Sequence, residues 1–290
     1  MDSRMTWTTL ISAEELAHVI DRCIVVDARH DLMRPEAGAQ GYAESHIPGA
    51  RFVAMDADLS APKTGRNGRH PMPAREQVSM LLSGLGLKPD QQLVIYDTSG
   101  GLMASRLWWM ARWAGHEQVA VLDGGLVAWQ KAGYPVTTEL PQVRPADAWP
   151  TRPALERLVT IEEMVDISRH AGAPGVPCIV DARAGERFRG ETEPMDPVAG
   201  HIPGSLNRPS GANLRENGCF KPAQVLAQEF RSVIGDRPGS AVVQSCGSGV
   251  SACHNQLAMV HAGLPGAALY GGSWSEWCSD PARPVATGPA

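Results

Sequence analysis

Apolar residues along the chain follow two periods. The run CIVVDAR at 23–29 is continuously apolar and ends in charge, the pattern of a strand buried on both faces. Leu93–Asp97 and Gln118–Leu122 read the same way, and between them Leu102–Ala114 predicts a helix with Leu107, Trp108 and Met110 to bury. Ahead of the first strand, Ser12-Ala13-Glu14-Glu15 fits a capping box, with Leu16, Val19 and Ile20 as the apolar face behind it. Asp123-Gly124-Gly125 turns into a short helix through Trp129, and residues 60–73, rich in Pro, Gly, Lys and Arg, read as a surface loop.

The second half repeats the first. Thr160-Ile161-Glu162-Glu163 matches the first capping box, CIVDAR at 178–183 the first strand, and His201-Ile202-Pro203-Gly204 the segment His46-Ile47-Pro48-Gly49. Leu269-Tyr270-Gly271-Gly272 with Trp277 matches Leu122-Asp123-Gly124-Gly125 with Trp129. Asp27 and Asp181 lie 154 residues apart, His46 and His201 lie 155 apart, and Gly124 and Gly271 lie 147 apart. A period of that length means duplicated domains rather than a solenoid. The expected organisation is a first domain over 1–140, a stiff linker over 141–158 marked by Pro141, Pro145, Pro150 and Pro153, and a second domain over 159–290. Alternation of strands and helices within each half predicts an α/β fold with a parallel sheet covered on both faces.

Composition sets the class of partner. With 290 residues, 43% hydrophobic and 20% charged, the chain reads as soluble and globular, and a net charge of -5 gives no basic excess for nucleic acid or an anionic membrane. The stretch Met1–Glu15 does not read as a signal peptide and no apolar run is long enough to span a bilayer, so the expected location is the cytoplasm. Six scattered cysteines without C-x-x-C spacing indicate free thiols, no metal site and no disulfide framework.

The chemistry concentrates at Val242–Ala252, VVQSCGSGVSA. A short apolar strand runs through Gln244 and Ser245 into Cys246, then into a loop of small residues, Gly247 to Ser251, where a helix begins. Such a loop turns several amides toward the thiol, and the helix dipole adds to them, which favours a thiolate. In the register of the repeat, Asp97 in Tyr96-Asp97-Thr98-Ser99-Gly100 occupies the place of Cys246, so one half holds a thiol and the other does not. A tyrosine-phosphatase-like loop would need arginine six residues after the cysteine, where this chain has Ala252.

DAR, HIPG and GG-x-x-x-W in both halves resemble the rhodanese family of sulfurtransferases in its tandem two-domain form, and the loop CGSGVS is similar to that of its 3-mercaptopyruvate-specific members. The resemblance implies five parallel strands with flanking helices in each domain and an active cysteine in the second domain only. It implies that Arg187 holds a substrate carboxylate. A second family arginine before GHIPG has no counterpart in Glu193-Pro194-Met195-Asp196, since Met195 cannot pair with a carboxylate. It further implies a relay of Asp56 and His70 with Ser248.

The expected reaction is attack of Cys246 on the donor sulfur, with the persulfide held by amides from Gly247, Gly249, Val250 and Ser251, and transfer to a thiol or cyanide acceptor. A thioredoxin-like reductant is a candidate partner; no cofactor or metal is called for. Alternatives stay open: thiosulfate as donor, or a persulfide carrier or sensor. At the residues, Arg187 can instead form an ordinary surface ion pair, Ser248 can cap a helix, and His70 can be a loop histidine. His46 and His201 recur in both halves and read as structural, as do Asp27 and Asp181, paired with Arg29 and Arg183.

Overall fold

The computed structural model describes residues 6–289, so the first five residues of the stretch read for a leader lie outside it. The chain forms two compact units. One comprises the chain up to Leu59 with Pro73–Leu155 and Glu216–Cys219; the other comprises Ser60–Met72, Glu156–Arg215 and the chain from Phe220 onward.

In the first unit, β1 (Leu10–Ile11), β2 (Cys23–Asp27), β3 (Arg51–Phe52), β4 (Gln92–Tyr96) and β5 (Val119–Leu122) form a sheet of order β1-β5-β4-β2-β3, parallel throughout. Its helices are α1 (Ala13–Val19), α2 (Ala37–Glu44), α3 (Arg75–Gly84), α4 (Ala104–Trp113) and α5 (Gly125–Lys131). The second unit repeats this with β6 (Arg157–Val159), β7 (Cys178–Asp181), β8 (Ser205–Asn207), β9 (Val242–Ser245) and β10 (Ala268–Tyr270), in the order β6-β10-β9-β7-β8 and again parallel. Its helices are α6 (Ile161–Arg169), α7 (Gly185–Phe188), α8 (Ala223–Ile234), α9 (Ser251–His261) and α10 (Ser273–Trp277). These are the two five-stranded α/β sheets that the sequence implied.

Both capping boxes form. The Ser12 hydroxyl accepts from the Glu15 amide at 3.1 Å while the Glu15 carboxylate accepts from the Ser12 amide at 2.8 Å, and Thr160 and Glu163 repeat the exchange. The central strands β4 and β9 are buried along their whole length, and the helix after each is buried almost all round. In α4 this packs Trp108 and Trp109 away from water; in α9 small residues, Ala252 and Cys253 among them, let the helix lie close on the sheet. Each central strand therefore ends in a loop braced from behind by a buried helix, the position where ligands bind in open α/β sheets.

The repeat is one residue out of register at the Gly-Gly turn as read from the sequence. Strand pairing sets Ile95 against Val121 and Gln244 against Leu269, and the Leu126 amide donates to the Asp97 carbonyl as the Trp274 amide does to that of Cys246. Gly124 thus corresponds to Gly272, and Gly125 to Ser273. The identical Gly-Gly letters are offset by one, because Gly271 stands at the position of Asp123. The histidines are structural as expected: His46 Nδ1 lies 2.7 Å from the Tyr42 carbonyl and His201 Nδ1 2.7 Å from that of Phe188. Arg29 and Arg183 pair with Asp27 and Asp181.

Candidate active site

Cys246 follows β9 and is 1% exposed. The Gly249 amide donates to its Sγ at 3.1 Å, so the loop turns back on the thiol as the glycine and serine content implied. The start of α10 fixes the loop from the other side: the amides of Trp274 and Ser275 donate to the carbonyls of Cys246 and Gly247, each at 2.9 Å. Val250 occupies the N-cap of α9 without a side-chain cap, and Ser251 is the first helical residue.

Ser273, which the sequence reading did not single out, is central to this geometry. Its hydroxyl accepts from the Cys246 amide at 3.0 Å, donates to the Tyr270 carbonyl at 2.9 Å and lies 3.9 Å from Sγ. Its φ of 53° makes it the one non-glycine residue with positive φ among those described; Gly125, its counterpart, has φ 59°. A side chain held in that region costs about 1–2 kcal/mol, and here it brings the hydroxyl to the thiol.

The first unit shows what its equivalent loop holds. The Asp97 carboxylate accepts from four amides, those of Ser99 and Gly101 at 2.9 Å, Met103 at 2.7 Å and Ala104 at 3.0 Å. The loop after the central strand is thus an amide-lined anion nest in which a carboxylate sits.

Three arginines and three carboxylates form a paired cluster near Cys246. Arg187, at the end of α7, directs Nη2 to Glu193 at 2.6 Å and to Asp196 at 3.5 Å. Arg183 pairs with Asp181 at 2.7 Å and Glu193 at 3.4 Å. Arg69 pairs with Asp196 and its amide donates to the Ser275 hydroxyl at 2.9 Å. A Cβ placed on Gly247 would lie 3.0 Å from Nη2 of Arg69 and 3.6 Å from both terminal nitrogens of Arg187, so two guanidinium groups flank the residue after the thiol. Burial opposes the charge on Glu193, but Arg187 and the amides of Met195 and Asp196 hold its carboxyl below the ordinary range. Burial pushes the Asp196 carboxyl up, against the pull of Arg69. The salt bridges of Arg187 are made inside this cluster at 20% exposure, not on an open surface.

The Ser248 hydroxyl lies 2.8 Å from Nδ1 of His70, and both residues are buried. The hydroxyl meets this ring and not the α9 N-terminus, whose cap is Val250. The 60–73 segment has no helix or strand and is exposed over its middle as expected, yet its end is buried at His70 and Pro71, where the Arg69 amide meets the Ser275 hydroxyl and the His70 ring meets that of Ser248. Asp56 lies in the first unit, exposed, in the turn after β3.

The Rhodanese-like domain family matches residues 12–132 and 163–280, most of each half. The chain belongs to the rhodanese family. A Pseudomonas aeruginosa relative named "Probable 3-mercaptopyruvate sulfurtransferase" is 43% identical over 288 residues, covering 98% of this chain and all of that one. A Mycobacterium tuberculosis relative named "Putative thiosulfate sulfurtransferase" is 40% identical over 284 residues, covering 97% of this chain and 98% of the other. Among solved structures, the 3-mercaptopyruvate sulfurtransferase from Leishmania major is similar with a TM-score of 0.82 and 29% identity, over 93% of this chain and 74% of that one. In both rhodanese segments the loop after the central strand turns backbone amide to side chain, four amides to the Asp97 carboxylate in one and the Gly249 amide to the Cys246 thiol in the other. No helix among the described residues is long and apolar enough to cross a membrane, and none of the six cysteines is in a disulfide.

Proposed function

We propose that this rhodanese-family chain is a 3-mercaptopyruvate sulfurtransferase, with Cys246 as the residue that takes the sulfur. The observation that supports the donor most directly is the pair of guanidinium groups beside Gly247, adjacent to a thiol held by the Gly249 amide and the Ser273 hydroxyl. A planar guanidinium suits the bidentate demands of a carboxylate, and Arg187 is the candidate to hold it.

In this reading the Cys246 thiolate attacks the donor sulfur. A new S–S bond forms, the C–S bond breaks, and its electrons leave with the pyruvate enolate. The amides of Gly247, Gly249, Val250 and Ser251 hold the persulfide, and the hydrogen-bonded pair His70 and Ser248 supplies the proton that turns enolate into pyruvate. An acceptor thiolate or cyanide then attacks the outer sulfur and restores Cys246; a second thiol, or a thioredoxin-like reductant, releases it as sulfide. The first domain, with Asp97 at the thiol position, takes no sulfur. Six cysteines without a disulfide fit the reducing cytoplasm, where we place the protein.

Thiosulfate is the second reading, favoured by the 40%-identical relative of that name. Steady-state assays with each donor, cyanide as acceptor and Cys246→Ser as control, separate the two. A higher kcat/KM for 3-mercaptopyruvate and an inactive Cys246→Ser are expected. Equal or better use of thiosulfate overturns the donor, and an active Cys246→Ser overturns the mechanism.

A further inference from the structure

The segment that lacks the second family arginine, Glu193-Pro194-Met195-Asp196, leaves a question of charge beside the donor site. The answer comes from a distant part of the chain. Nη2 of Arg69 lies 3.0 Å from where a Cβ on Gly247 would sit, beside the terminal nitrogens of Arg187 at 3.6 Å, and the buried Nε of Arg69 has no hydrogen-bond partner. Its position is held at two points, by its own amide on Ser275 and by Nη1 on Asp196. Asp196 is 4% exposed and reaches toward Arg187 with its other oxygen at 3.5 Å, so one buried carboxylate serves both guanidinium groups that flank the loop.

The set as a whole is balanced. Arg69, Arg183 and Arg187 face Asp181, Glu193 and Asp196, three charges of each sign. In a poorly solvated site each uncompensated charge on a ligand is felt strongly, because the low local dielectric screens it little. A singly charged carboxylate arriving at this cluster leaves an excess of one negative charge. A dianion leaves two, and meets Asp196 and Glu193 at close range. Specificity of this kind rests on the repelling group as much as on the attracting one.

We propose that Asp196 is a specificity-determining residue, which holds Arg69 beside Gly247 as the second carboxylate-binding guanidinium and keeps the donor site neutral, so that a monoanionic thiol donor is accepted and a thiosulfate dianion is disfavoured. The proposal rests on the donor reading given above.

The test is the ratio of kcat/KM for 3-mercaptopyruvate to that for thiosulfate in the full-length enzyme. Asp196→Asn keeps the shape and removes the charge, and lowers this ratio about tenfold or more by reducing KM for thiosulfate. Asp196→Glu keeps the charge and retains the preference. Arg69→Met raises KM for 3-mercaptopyruvate about tenfold, with a smaller effect on kcat. A simple structural role would lower both donors together and leave the ratio where it was; that result in Asp196→Asn, or an unchanged KM in Arg69→Met, overturns the proposal. A wild-type enzyme that itself prefers thiosulfate overturns the donor reading and this proposal with it, whereas a wild type that prefers 3-mercaptopyruvate beside an unmoved ratio in Asp196→Asn overturns this proposal alone.

Discussion

At the scale of single residues, the site is built on two side chains that sequence patterns do not expose. Ser273 is held at a φ of 53° where its counterpart is glycine, and its hydroxyl satisfies the buried Cys246 amide. Ser273→Ala keeps the strained backbone and loses the hydroxyl, while Ser273→Gly loses the hydroxyl but relieves the strain. Both are expected to lower kcat/KM, and the glycine variant to be more stable than the alanine variant by about 1 kcal/mol in denaturant unfolding. Equal stability would mean that the backbone there is unstrained. The thiol at Cys246 was legible in the chain because glycines and serines surround it, a composition with no packing purpose at the mouth of a buried strand. Ser273 was hidden by the Gly-Gly letters one residue before it, and Arg69 by its distance, since it pairs with Asp196 across 127 positions. No local pattern can report a contact of that length.

At the scale of elements, legibility followed length. β2, β4, α4 and both capping boxes could be read directly, because five-residue apolar runs and i to i+3 exchanges leave clear signatures. The two-residue strands β1 and β3 cannot show a period at all, and only the family resemblance supplied them. The turn between α4 and β5 holds His116, fully buried and edge-on to the Trp149 ring at 5.3 Å. Burial lowers its pKa from 6.5 to about 4, outweighing the backbone groups that favour the charged ring. Because the folded-state value is depressed, the unfolded chain takes up a proton that the folded chain refuses between those two values. The resulting stability is whole above pH 6.5 and is lost as the pH falls toward 4, on the order of 3 kcal/mol in all. Urea unfolding across this range should therefore show a steeper fall in stability for the wild type than for His116→Leu. Parallel pH profiles for the two would remove His116 as the cause.

At the scale of the whole molecule, duplication has kept the architecture and changed the residue after the central strand, Asp97 in one half and Cys246 in the other. Two sheets of the same strand order each present a loop after the central strand, and the sequence period announced both. What the period could not reveal is that the segment Ser60–Met72 belongs to the compact unit of the second sheet, where His70 meets Ser248. The four amides around Asp97 have a consequence for counting. A carboxylate bonded to the chain fills that nest permanently, so the first half can never be emptied to receive sulfur, whatever the donor concentration. Labelled sulfur trapped in a single turnover without acceptor should accordingly saturate at one atom per polypeptide, and two would show that the duplicated fold had kept a second reactive centre. The Asp97 loop also shows what four convergent amides of this fold can grip, with the acceptor supplied by the gene.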